Sequence, residues 1–363
     1  SYIPHAQEKT PDQWNELRKT ITIDNVPLYK HGFWNLLLKK IRMEDYHYIQ
    51  ETQGFSTIIS NWNGAEAFAW FSREFQPNQQ YHTLKPGMSE LPEKLAHAFE
   101  KEGGTLKLSH SVEKISLDHT KKNSYYVLSI KDSSQKIYAK KLILALPKRA
   151  IQIVQEKSPL LQQAQFTQDL ASVEAERGSK LYLAYDWPWW TDLGLTYGNG
   201  ITDLPLRQFF YFNHQKPLTK KKNNPSLLMA GYNDGTSVDF WNGFTQPSDP
   251  PLFAPKLLID EAQRQLKKIH QYSIPQPYYA IFHDWVNDPY GGAWHFWNPG
   301  IKTWEVMPRI QQPFAKQALY ICGEAYSVTQ GWIEGALETA ELLLKEKFGL
   351  KPPAWLSKKS ATC

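Results

Sequence analysis

The pattern of apolar and polar positions changes character along the chain. After an extended start, residues 1–80 carry apolar side chains at helical spacing. Phe33, Leu36, Leu37 and Ile41 form one stripe, and further helices are predicted over Pro11–Lys19, Met43–Gln53 and Gly64–Phe75. Gly87–Lys101 is an amphipathic helix in which Leu91, Leu95 and Phe99 repeat every four residues. Its Pro92 comes early, where proline is tolerated, and Gly103-Gly104 stop it. Short strands are predicted over Thr105–Leu108, Ser111–Leu117, Tyr125–Ile130 and Lys136–Tyr138, and Lys141–Ala145 reads as a buried strand ending at Pro147. Strands over Lys180–Tyr185, Phe209–Phe212, Leu227–Tyr232 and Tyr278–His283 then alternate with loops rich in Trp, Pro, Asn and Gly, and one helix is predicted over Pro255–Gln271. The chain closes with a strand over Leu319–Cys322, a loop over Gly323–Gly331 and a helix over Ile333–Phe348.

This order predicts a mixed α/β (α+β) fold. Residues 1–80 form a helical substrate or lid domain. Residues 81–150 and 291–350 are two parts of one α/β domain, residues 151–290 an antiparallel-sheet substrate domain, and residues 351–363 a tail. Thr219–Asn224 reads as an exposed loop open to nicking.

Charge and cysteine content narrow the function classes. The net charge is +5, from 41 basic and 36 acidic residues, with no basic stripe interleaved with aromatics, which argues against nucleic acid. Of two cysteines, Cys322 lies in an apolar strand and Cys363 ends the chain, so neither a disulfide framework nor a metal centre is expected. No apolar run approaches a membrane span, and the first twenty residues hold no signal peptide. The chain opens on Ser1 with no Met, which reads as an N-terminus made by cleavage and leaves room for a removed signal. The compartment stays open between the cytoplasm, the periplasm and the outside of the cell. The 14 Trp and 19 Tyr serve cores and pocket walls alike.

Candidate chemistry concentrates at the C-terminal end. Leu319–Ala336 is a strand, a glycine turn (Gly323), an acid (Glu324) and a second glycine-bearing turn leading through Trp332 and Ile333 into a helix. A helix N-terminus offers free N–H donors and partial positive charge for an anionic ligand edge. On the residues alone the same segment is also an ordinary βα unit with glycines at its turns. Lys180 alternates with Leu181 and Leu183 on a strand closed by Trp187-Pro188-Trp189-Trp190, and a lone strand lysine also reads as a surface residue. Tyr290 and Trp294 belong to an aromatic turn that either lines a pocket or packs the sheet. His295 reads as structural.

The segment Gly323-Glu324-Ala325 through Gly331-Trp332-Ile333-Glu334-Gly335-Ala336 resembles the C-terminal FAD signature of the flavin-containing amine oxidase family, and within it bacterial L-amino-acid oxidases and tryptophan monooxygenase-like enzymes. Ser111-Val112-Glu113-Lys114-Ile115, Leu142–Pro147 and Gly178–Leu183 resemble further family segments in the same order. The resemblance implies a flavoprotein of the two-dinucleotide-binding-domain type, with residues 81–150 and 291–350 as parts of its FAD-binding domain. Val112, Pro147, Gly323, Glu324, Trp332 and Ile333 would then contact FAD, and Lys180 would hold a water at the flavin. Tyr290, Trp294 and Trp332 would line the substrate pocket. The implied reaction is oxidation of an L-amino acid by oxygen to a 2-oxo acid, ammonia and hydrogen peroxide. Rival functions are an amine or polyamine oxidase, an amino-acid 2-monooxygenase, and a non-catalytic subunit that has lost FAD binding.

The family's Gly-x-Gly-x-x-Gly turn and early arginines have no counterpart here, and Gly198-Asn199-Gly200 leads into no helix. The expected partner is therefore a separate N-terminal chain carrying the dinucleotide-binding motif, cut away by proteolytic processing, with the processed heteromer pairing as a homodimer.

Overall fold

The computed structural model describes residues 9–56, 61–74, 84–118, 125–212, 224–285 and 287–351. The expected nicking loop (apart from Asn224), the first eight residues and the tail beyond Lys351 lie outside the described residues.

Helices dominate the first stretch, as the apolar stripes require. Helix α1 (Pro11–Thr20) starts at a reciprocal cap between Thr10 and Gln13. Strands β1 (Thr22–Ile23) and β2 (Val26–Pro27) form a hairpin closed by Asp24-Asn25, both at positive φ. Helices α2 (Phe33–Leu38), α3 (Met43–Thr52) and α4 (Gly64–Glu74) follow. Helix α5 (Glu90–Lys101) is shorter than predicted at its start and buries none of its residues.

Strands β3 (Val112–Asp118), β4 (Tyr125–Ile130) and β5 (Lys136–Ala139) form the expected antiparallel meander. Thr105–Leu108, predicted as a strand, is irregular, because no strand of the described chain lies alongside to complete its hydrogen bonds. Three residues separate strand β6 (Leu142–Leu144) from α6 (Lys148–Glu156), the last of them Pro147 as N-cap, and α7 (Ala164–Leu170) follows. Neither helix was predicted from the sequence.

Strands β7 (Val173–Glu176), β8 (Gly178–Tyr185), β9 (Gly198–Ile201), β10 (Gln208–Tyr211) and β11 (Ser226–Asp234) lead to helices α8 (Ser237–Asn242) and α9 (Lys256–His270) and then to strand β12 (Tyr279–Asp284). Five of these strands pair antiparallel in the order β12-β8-β11-β10-β9. On β8, Leu181, Leu183 and Tyr185 point to one face, where they bury against Leu258, Ala262 and Leu266 of α9 and against Trp189 and Trp190. Lys180 and Tyr182 therefore point to the opposite face.

Strand β13 (Trp294–Trp297) pairs with β7, helix α10 (Thr303–Gln311) follows, and β14 (Leu319–Ile321) runs parallel to β6 before α11 (Ile333–Phe348). The main core collects Ile115, Leu144, Phe166, Trp297 and Ile321, and Phe33, Trp62 and Ala67 of the N-terminal helices join it. A buried Arg18–Glu66 ion pair (3.1 Å) joins α1 to α4, and the Thr303 hydroxyl donates to the same Glu66 carboxylate at 2.7 Å. The architecture is mixed α/β with antiparallel sheets. Among the described residues no helix is long and apolar enough to cross a membrane.

Candidate active site

Parallel pairing of β6 with β14 brings two chain turns to the same end of the strands, where ligands of α/β folds bind. One turn holds Leu146-Pro147 and the other holds Gly323-Glu324. They approach closely: a Cβ on Gly323 would lie 3.6 Å from the Leu146 carbonyl oxygen. Gly323 has φ 148° and ψ 167°, a conformation essentially reserved for glycine. Helix α11 then starts at Trp332 with no side chain capping its first N–H groups, and Trp332 and Ile333 are exposed there. Val112, at the head of β3, stands apart from these turns, linked to Pro147 through α6, which packs on β3.

Glu324 is tied down by its own chain. Its Oε1 accepts from the main-chain N–H of His295 (3.0 Å) and of Gly331 (2.7 Å), and its Oε2 accepts from Nδ1 of His295 (2.8 Å). The carboxylate thus holds the turn before α11 against β13. Next along the strand, Trp294 sits opposite Glu176. Its ring lies against the start of β8, 3.4 Å from where a Gly178 Cβ would be, and the Ala293 Cβ would be only 2.4 Å from that atom. Any side chain at Gly178 would push these strands apart.

Two residues further on β8 is Lys180, with Tyr232 of β11 and His283 of β12 as cross-strand partners. Its Nζ lies 4.4 Å from the Tyr232 ring centre and 5.8 Å from that of Trp285, a cation–π arrangement. Phe55 stands edge-on to both Tyr232 (5.1 Å) and Trp294 (6.3 Å). Burial pulls the Lys180 ammonium below the ordinary lysine range, because the charged form is poorly solvated there. The same loss of solvation pushes the Tyr232 phenol up to about 12 and the Glu176 carboxyl up to about 7, with the nearby Asp234 charge adding to both.

Strand β13 therefore links Glu324, through His295, to Trp294, whose ring lies at Gly178, two positions before Lys180 on β8. Tyr290 does not join them: it is half exposed on its turn, and among the described residues its ring packs on none of these aromatics. Phe55, Tyr232 and Trp285 were not singled out from the sequence. Tyr232 and Lys180 lie 52 positions apart in the chain and meet only through strand register.

A flavin would need hydrogen-bonding groups that the chain itself leaves over, and these are present. The His295 ring is buried, yet its Nε2 has no partner among the described residues. Arg177 beside Gly178 is not available to a ligand carboxylate, since Asp239 binds it through two oxygens.

The model of the flavin containing amine oxidoreductase family matches residues 30–342. The chain is 25% identical to Aplysianin-A of Aplysia kurodai over 378 residues, 93% of this chain and 66% of that protein. It is 23% identical to L-amino-acid oxidase 4 of Hebeloma cylindrosporum over 338 residues, 85% of this chain and 53% of that one. It thus spans less than two thirds of the length of these relatives. Its fold matches a putrescine oxidase variant (TM-score 0.65, 12% identity, 96% of this chain and 77% of that chain). It also matches cyclohexylamine oxidase of Brevibacterium oxydans (TM-score 0.62, 16% identity, 96% and 76%).

Proposed function

The chain belongs to the flavin-containing amine oxidoreductase family, and from that premise we propose that it carries the substrate-facing half of an FAD-dependent L-amino-acid oxidase. The observation that carries this reading is the partly desolvated Lys180 on an aromatic-lined sheet face, beside which β13 leads from Trp294 to the Glu324 turn.

In the overall reaction an L-amino acid, oxygen and water give a 2-oxo acid, ammonia and hydrogen peroxide. FAD supplies the hydride acceptor and the reaction with oxygen. The chain's own residues bind and exclude. Phe55, Tyr232 and Trp294 form an apolar wall that orients the substrate and keeps bulk water away. Lys180, the polar group on that wall, holds a single water through its Nζ. Burial lowers the proton affinity of that amine.

The missing part of the cofactor site belongs, in this proposal, to a separate N-terminal polypeptide with a Gly-rich phosphate-binding turn. Support comes from faces that the described chain leaves uncovered. Leu91, Leu95 and Phe99 form the apolar stripe of α5 and are 37%, 58% and 55% exposed. Leu106 and Leu108 are exposed in the unpaired segment that follows, and Ile143 is exposed on β6, although parallel strands normally bury both faces.

Peroxide release by the native protein across the twenty L-amino acids and a set of primary amines and polyamines tests the activity. Peroxide with at least one L-amino acid, with the matching 2-oxo acid, is the expected result. Peroxide with amines alone assigns an amine oxidase instead, and carbon dioxide with an amide product assigns a monooxygenase. Mass analysis tests the second polypeptide: the 42.1 kDa chain alone, with FAD tightly bound, contradicts it.

A further inference from the structure

The Glu324–His295 pair leaves one atom unexplained. His295 lies on β13 with only 2% of its side chain exposed. Glu324 Oε2 can only accept, so the Nδ1 of His295, 2.8 Å away, must carry the hydrogen. In the neutral ring the other nitrogen, Nε2, is then an acceptor. It is buried and has no donor within the described protein, an arrangement that an isolated chain would not favour. The Glu324 carboxylate accepts from the main-chain N–H groups of His295 and Gly331 and from His295 Nδ1, so it fixes the histidine ring in place.

We infer that His295, and not Glu324 alone, is the flavin-contacting group of this turn: Nε2 accepts a hydrogen bond from a hydroxyl on the sugar-alcohol chain of the cofactor. This rests on the reading of the protein as an FAD enzyme. Glu324 is the positioning residue, fixing the tautomer and the ring plane, as a carboxylate does behind a histidine metal ligand. A hydroxyl is the chemical class that fits, because it can donate to this buried acceptor on a ring whose Nδ1 already donates to Glu324.

Asparagine and glutamine at position 295 separate the two nitrogens. The amide of His295→Asn reaches the Nδ1 position and keeps the bond to Glu324 but has nothing at Nε2. His295→Gln reaches the Nε2 position. The experiment uses the complete native-like protein and measures the FAD dissociation constant by recovery of flavin fluorescence, together with the melting temperature of the FAD-free form. The inference predicts about tenfold or more weaker FAD binding in His295→Asn at an unchanged melting temperature, with part of that loss restored in His295→Gln. Unchanged FAD affinity in His295→Asn overturns it. If His295→Asn also lowers the melting temperature, His295→Gln decides: recovered affinity supports the contact, and equal loss in both variants assigns His295 a structural role alone. Wild-type protein that binds no FAD refutes the underlying reading, a result distinct from any of these.

Discussion

Replacing Glu176 by glutamine isolates the electrostatics of the buried carboxyl opposite Trp294. Glu176 ends β7 opposite Trp294, is 9% exposed, and keeps one hydrogen bond, from the Arg177 main-chain N–H to its Oε1 at 2.8 Å. Burial, with the Asp234 charge beside it, raises its carboxyl from 4.5 to about 7. The folded state therefore holds this proton more tightly than the unfolded chain does. The resulting stability is fully present below pH 4.5. It is lost as pH rises through the folded value, so the loss is nearly complete above about pH 7. At ~1.4 kcal/mol per pH unit, the span from 4.5 to about 7 corresponds to about 3 kcal/mol. Glu176→Gln keeps the Oε1 acceptor and cannot ionise. Thermal melting should show the two proteins alike near pH 4.5 and the variant higher by roughly 4 °C at pH 8, given the unfolding entropy of a chain this long. A pH-independent difference, or a variant less stable at pH 8, refutes the reasoning.

Other consequences follow from the same geometry. Lys180→Met should slow anaerobic flavin reduction by on the order of 100-fold while leaving FAD binding intact, measured by stopped-flow absorbance. Arg18→Met leaves Glu66 charged and unpaired in the core and should cost about 3–5 kcal/mol in denaturant unfolding. Gly323→Ala forces a side chain into a glycine-only conformation and should cost about 1–3 kcal/mol in the same assay. Leu95→Asp on α5 should abolish co-purification of the proposed N-terminal polypeptide, whereas an unchanged complex would show that this face stays open.

Elements with strong periodicity were legible in the sequence. The helix over Ile333–Phe348 and the strand over Tyr125–Ile130 matched to the residue, and α9 matched within one. Weakly patterned ones were not. β7 is four residues with two acids among them, and α10 carries Pro308 inside it, so neither announces itself. Pro147 was read as a strand's end and is instead the first signal of α6. Thr105–Leu108 failed for a different reason: a strand is a property of two segments, and the described chain supplies only one. Family resemblance marked Lys180, Trp294 and Glu324 in the sequence. Their surroundings were hidden because they depend on long-range contacts. Ser56 reaches Asp234 across 178 positions, and His295 reaches Glu324 across 29.

The account turns most directly on what happens when substrate meets the native protein without oxygen. Mixing it anaerobically with L-amino acids and following the visible flavin band should show bleaching by at least one of them, with one 2-oxo acid formed per flavin and the colour returning when oxygen is admitted. A protein with no flavin band, or one bleached by amines and by no L-amino acid, contradicts it.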